Sequence, residues 1–73
     1  MSDKLQTARE YILRKIENGE LRGGDKLPAA REYSDEIGVS LAITQMAFTS
    51  LVRDGILTSV PRQGTYIRAD WPQ

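Results

Sequence analysis

Apolar residues recur at three- and four-residue spacing from Leu5 through Ala8, Ile12 and Ile16, with Tyr11 and Leu13 beside them, the stripe a helix needs to bury one face. Ser2 or Asp3 is placed to cap the first turn and Asn18-Gly19 to stop the last, so the pattern predicts a helix over about residues 3–18. Leu21 follows the stop and is expected to pack back. Arg22-Gly23-Gly24-Asp25 reads as a turn and Lys26-Leu27 as a short extended piece. Pro28 then fixes the backbone for a second helix from near Ala29 to about Ile37. Ala30, Tyr33 and Ile37 share its apolar face, while Arg31, Glu32, Asp35 and Glu36 are polar.

Gly38 suits the positive φ of a helix end, and Val39-Ser40 offers an apolar contact and a cap for the next helix. Two helices joined by so short a turn predict a helix-turn-helix. The third helix is expected over about Leu41–Asp54, buried along Thr44, Ala47, Phe48 and Leu51 and stopped by Gly55. Ile56–Val60, a turn at Pro61-Arg62-Gln63-Gly64 and Thr65–Ala69 read as strand, turn and strand. The predicted fold is mainly α with a small β-hairpin: a winged helix-turn-helix of three helices plus a two- or three-stranded antiparallel wing. It occupies residues 1–69, and Asp70-Trp71-Pro72-Gln73 is expected to open a linker toward a C-terminal domain absent from this chain.

Composition narrows the classes. Seventy-three residues, 40% apolar and 27% charged, suit one small folded domain with no room for an enclosed active site. The chain lacks cysteine and histidine, so disulfides, thiol chemistry, zinc-finger sites and imidazole bases drop out together. It also lacks a glycine-rich phosphate loop and metal-ligand spacing; no enzyme, cofactor or metal is expected. Its start is too polar for a signal peptide, and no apolar run approaches the roughly 18 residues of a membrane span, so the expected address is the cytoplasm. Ten Lys and Arg balance ten Asp and Glu, at an isoelectric point near 6.2. That is far below the value above about 9 that marks many nucleic-acid binders. Local cations still act on a phosphate row within a screening length of about 8 Å, so their placement matters more than their sum.

The order of elements points to duplex DNA: a third helix enters the major groove, the second lies across the backbone, and the hairpin reaches the flanking groove or phosphates. Ser40 can cap the third helix and donate to a phosphate, Gln45 can pair with adenine, and Leu41 or Ala42 can touch thymine methyls, which favours an A·T-rich operator. Leu41 and Ile43 have an alternative reading as core residues of a slightly rotated helix. Arg62 and Gln63, ahead of Gly64 and Thr65, put a cation at the hairpin tip and a glycine where backbone approaches DNA closely. Alternatively Gly64 serves only the turn and Arg62 is merely exposed. Arg22 and Lys26 are weaker candidates for phosphate contacts, balanced by plain solubility, and Arg53 is expected to serve the helix dipole. A rival of another class is a winged helix used for protein–protein contact through Leu41 and Met46.

The stretch from Gly19 to Glu32, with Gly19, Leu21, Gly24, Leu27-Pro28-Ala29 and Arg31 in register, resembles the N-terminal signature of the GntR family of bacterial transcription regulators. Ile37-Gly38-Val39-Ser40, Leu51, Asp54-Gly55-Ile56-Leu57 and Gly64-Thr65-Tyr66-Ile67 continue it over nearly the whole chain. The resemblance implies a homodimeric repressor that reads a palindromic operator in the bacterial nucleoid. Dimerisation and a small effector would belong to a separate C-terminal domain. It also implies that Arg31 faces DNA; read from spacing alone, Arg31 could instead pair with Asp35 at i+4. The third helix departs from the family, which usually has arginines where this chain has Leu41 and Gln45, and a buried valine where it has Thr44.

Overall fold

The computed structural model describes residues 3–71; the candidate cap Ser2 and the last two expected linker residues, Pro72 and Gln73, lie outside them. Helix α1 spans Lys4–Glu17, and of the two candidate caps Asp3 is seen to act, its carboxylate accepting from the Gln6 N–H at 2.9 Å. Helix α2 spans Ala30–Ile37, and α3 spans Leu41–Arg53. Strands β1 (Leu57–Val60) and β2 (Gly64–Ile67) pair antiparallel with Leu57 opposite Ile67 and Val60 opposite Gly64. The winged helix-turn-helix expected from the sequence is the fold observed, with helix and strand ends shifted by a residue or two.

The extended piece at Lys26-Leu27 joins the wing. Lys26 bridges antiparallel to Tyr66, the Leu27 N–H donates to Thr65 O at 2.8 Å, and the Ile67 N–H donates to Asp25 O at 2.8 Å. β2 thus has hydrogen-bonded neighbours on both sides, although only β1 pairs with it as a full strand.

The core lies where the three helices meet the base of the wing. Ile12, Leu27, Tyr33, Leu51, Ile56, Leu57 and Ile67 form one buried cluster, with Tyr11, Leu13, Ile16, Leu21, Ile37 and Phe48 packed around it. α1 and α3 each bury an alanine completely, Ala8 and Ala47, and small side chains let helices approach closely. The Arg9 guanidinium fastens the same pair from outside, meeting the Ser50 hydroxyl and, at 2.9 Å, the Asp54 carboxylate. Thr44 is fully buried, and its hydroxyl donates to Ser40 O at 3.1 Å, so a polar residue stands in the stripe without an unmet hydrogen bond. Ser34, a buried residue the spacing did not single out, donates likewise to Arg31 O at 2.7 Å.

Trp71 is half-buried against the core, and its N–H donates to Arg68 O at 3.0 Å. This tail passes so close to the 22–25 turn that a Cβ on Gly23 would lie 2.6 Å from Trp71 O and 2.9 Å from Ala69 O. Trp71, within the stretch expected to open a linker, thus packs on the domain. Among the described residues no helix is long and apolar enough to cross a membrane.

Candidate nucleic-acid interface

The turn between α2 and α3 sets the angle of the third helix. Gly38 takes φ +84°, a conformation a side chain would strain, and its N–H donates to Ser34 O at 2.9 Å. Ser40 then caps α3, its hydroxyl accepting from the Ile43 N–H at 3.1 Å. From this start Ala42, Gln45, Met46, Thr49 and Arg53 face solvent, while Thr44, Ala47 and Leu51 face the core. Leu41 and Ile43 lie on the shoulders between, half-buried. Ala42 and Gln45 stand free on the outward face; Leu41 offers part of its surface, and the Ser40 hydroxyl is already engaged as a cap.

Ala29 stands at the cap position before α2; its carbonyl accepts from the Glu32 N–H at 3.0 Å and it supplies no side-chain cap. Arg31 is exposed one residue into the helix. Among the described residues neither Arg31 nor Asp35 forms an ion pair, so the i+4 pairing that the spacing allows is not made.

The wing differs from expectation at its tip. The sequence pattern predicts a turn over residues 61–64, but the loop is Pro61-Arg62-Gln63, closed by the Gln63 N–H donating to Val60 O at 3.0 Å, and Gly64 is already the first residue of β2. Proline presets the second position of such a turn, and the third must then be left-handed if the turn is type II. That position falls to Arg62, with φ +67° the one left-handed residue other than glycine among those described. Arg62, Gln63 and Gly64 are exposed and Thr65 is half-buried.

Between α3, the start of α2 and the wing runs an open groove of about 1010 Å³. It brings Gln45 together with Gln63, Gly64 and Thr65, four of the nine candidate residues. Arg31, Ser40, Leu41, Ala42 and Arg62 do not line it. Other lining residues include Thr49, one turn beyond Gln45; Lys26, brought in by its bridge to Tyr66; and Glu32, which places a carboxylate in the groove. Thr49 follows from its i+4 spacing to Gln45 on the outward face; Lys26, from the sequence only a weaker candidate for a phosphate contact, is brought into the groove by its register with β2.

Charge is distributed unevenly. Arg9, Lys15 and Arg68 are tied to Asp54, Glu20 and Asp70 at 2.9, 3.6 and 3.1 Å, away from the groove. Lys26, Arg31 and Arg62 are exposed and make no ion pair among the described residues. Beneath this surface Tyr33 is held edge-on between Tyr11 and Phe48. Burial, with the Glu36 carboxylate adding to it, pushes the Tyr33 hydroxyl up to about 12.

A family model described as bacterial regulatory proteins, gntR family, matches residues 4–67. The chain is 34% identical over 58 residues to the HTH-type transcriptional repressor NagR of Bacillus subtilis (strain 168), covering 80% of this chain and 24% of that protein. Among solved structures, a GntR family transcriptional regulator from Listeria monocytogenes superposes with a TM-score of 0.89 at 28% identity, covering 94% of this chain and 60% of that one. The AraR DNA-binding domain in complex with operator ORE1 superposes with a TM-score of 0.84 at 31% identity, covering 92% of this chain and 82% of that one. The chain spans between about an eighth and a quarter of the length of the curated relatives it matches.

Proposed function

The chain belongs to the GntR family of bacterial regulatory proteins, and from that premise we propose that it is the DNA-reading head of a transcription regulator, binding duplex DNA in a sequence-dependent way. The observation that carries this reading is the groove in which the outward face of α3 meets the wing, with Gln45 and Thr49 on one wall and Gln63–Thr65 on the other. Its likeness to a domain bound to operator DNA supports the same reading. The family is one of regulators, in keeping with the expectation that the chain is not an enzyme.

In this reading α3 enters the major groove with Ala42 and Gln45 toward the base edges. Ala42, with part of Leu41, touches thymine methyls, and Gln45 pairs with adenine. Ser40 stands at the phosphate where the helix begins. Arg31 grips the backbone from α2, and Arg62, Gln63, Gly64 and Thr65 approach the flanking phosphates or minor groove. With net charge zero, attraction is confined to these local contacts.

The whole regulator is a homodimer in this reading, each head covering residues 1–69 and residues 70–73 leading toward a C-terminal domain that dimerises and binds a small effector. It acts as a repressor in the cytoplasm, at the nucleoid, as the likeness to the repressor NagR supports. Two heads then present their third helices about one turn of DNA, roughly 34 Å, apart.

The test is selection from a randomised duplex library of about 25 bp, followed by anisotropy titration of the enriched sequences. Enrichment of an A·T-rich half-site is expected; no enrichment over random DNA overturns the reading. The protein-contact alternative draws on Met46, a large apolar side chain left 53% exposed on α3. It predicts no selection of any duplex by the unaltered chain, and a protein interaction that Met46→Lys abolishes.

A further inference from the structure

The residues of the wing leave one question open: why β2 begins with a bare backbone. Gly64 stands past the tip loop, and its φ of +127° is one that side chains rarely adopt. Its neighbourhood is occupied by one residue. A Cβ built there would lie 3.0 Å from Lys26 Cε and 3.8 Å from Lys26 Nζ. The register explains the meeting. Lys26 is opposite Tyr66, so Gly64, two residues along β2, is its diagonal neighbour on the same face of the ladder. A long side chain on an edge segment lies along such a diagonal only if the neighbouring position is empty. The lysine stem therefore runs over the glycine, and its ammonium sits beside the first residue after Pro61-Arg62-Gln63. It has no acidic partner within ion-pair distance among the described residues.

We propose that Gly64 is the seat of Lys26, and that together they form a phosphodiester site on the wing, in which the Lys26 ammonium meets one backbone phosphate of duplex DNA. This inference rests on the DNA-reading function proposed above and adds to it a second wing cation. It also gives Gly64 a different task from close approach to DNA: it holds a cation in place. An ammonium is a compact point charge suited to a single phosphate, whereas the Arg62 guanidinium at the tip is a planar fork suited to two acceptors. Both Lys26 and Glu32 line the groove, so a phosphate arriving there meets one carboxylate as well as the ammonium. Neutralising Glu32 is expected to strengthen binding.

The experiment is the salt dependence of binding to a fluorescein-labelled random-sequence duplex of about 25 bp, read by anisotropy across a series of salt concentrations. Lys26→Gln is expected to lower the slope of log affinity against log salt by about 0.9 per bound chain, Lys26→Arg to keep it, and Glu32→Gln to raise affinity at every salt concentration. Gly64→Ala, confirmed folded by circular dichroism, should lower the slope in the Lys26 background and lower it by clearly less in the Lys26→Gln background. If Lys26→Gln leaves the slope of the wild-type chain unchanged while Arg62→Gln lowers it, the lysine seat is refuted and the DNA-reading function stands. If the wild-type chain binds no duplex at any salt concentration, both fall together.

Discussion

Phe48 of α3 meets Tyr33 of α2 edge to face, with ring centroids 6.0 Å apart and planes at 88°. The contact lies behind the outward face of α3 and fixes how that helix sits on α2. Phe48→Ala is expected to cost about 2–3 kcal/mol and to lower the thermal midpoint by roughly 10–20 °C. Thr49→Ala, on the adjacent exposed position, should stay within about 0.5 kcal/mol. Equal losses in thermal unfolding of the two variants would show that the aromatic contact does not set the angle of the helix.

Arg62 holds a left-handed conformation that costs an L-residue about 1 kcal/mol or more. Arg62→Gly removes that strain together with the cation. Chemical denaturation should show equal or greater stability, by up to about 1 kcal/mol, while anisotropy shows weaker DNA binding. Loss of both stability and binding would mean that the tip is relaxed and that the arginine packs structurally.

Gly23 illustrates the opposite case. Its φ is not positive, so on chain entropy alone Gly23→Ala would stabilise the fold by about 0.4–1 kcal/mol. The three atoms its Cβ would meet are all backbone oxygens, of Trp71, Ala69 and Arg68, at 2.6, 2.9 and 3.1 Å. Backbone cannot swing aside as a side chain does. The substitution should therefore destabilise by about 1–3 kcal/mol, and a midpoint in urea at or above wild type would contradict the close approach of the tail.

Alkaline pH tests the Tyr33 environment. An unfolded tyrosine loses its proton near 10.0, whereas folded Tyr33 keeps it up to about 12. Between those values the unfolded chain binds fewer protons, so stability is fully present below pH 10 and declines as the pH rises toward 12. Tyr11, raised chiefly by its 2.6 Å hydrogen bond to the Glu36 carboxylate, acts in the same direction. Tyr33→Phe should flatten the decline measured by denaturant titration on either side of that window. An unchanged slope would assign the loss to other groups.

Gln45 reads one base pair in the proposed mechanism. Gln45→Ala should relax preference at that position by about 1–3 kcal/mol while leaving random-duplex affinity nearly constant. Uniform weakening on all sequences would make Gln45 a positioning residue.

The helices were legible because each announces itself at both ends. Asp3, Ser40 and the glycines after each helix mark boundaries, and the stripes through Ile12 and Leu51 mark the buried faces. Thr44 was legible for the same reason: periodicity placed it inward whatever its polarity. The wing tip was not. Proline suggested a turn and glycine suggested its left-handed residue, yet the loop length puts Arg62 in the position that glycine would favour. Which cations share a surface was equally hidden, because Lys26 reaches Gly64 through a bridge between segments some forty residues apart, and local spacing says nothing of register.

The hydrogen bonds on both sides of β2 have a thermodynamic consequence. The Leu27 N–H, held at 2.8 Å by Thr65 O, ties the wing to a residue that directly precedes Pro28 and the start of α2. The hairpin is braced along both edges of β2, one of them by the segment that leads into the second helix. Association then sacrifices rigid-body freedom and little internal disorder. Calorimetry should find a heat-capacity change set by the contact area alone, smaller than the one that accompanies a segment folding as it binds.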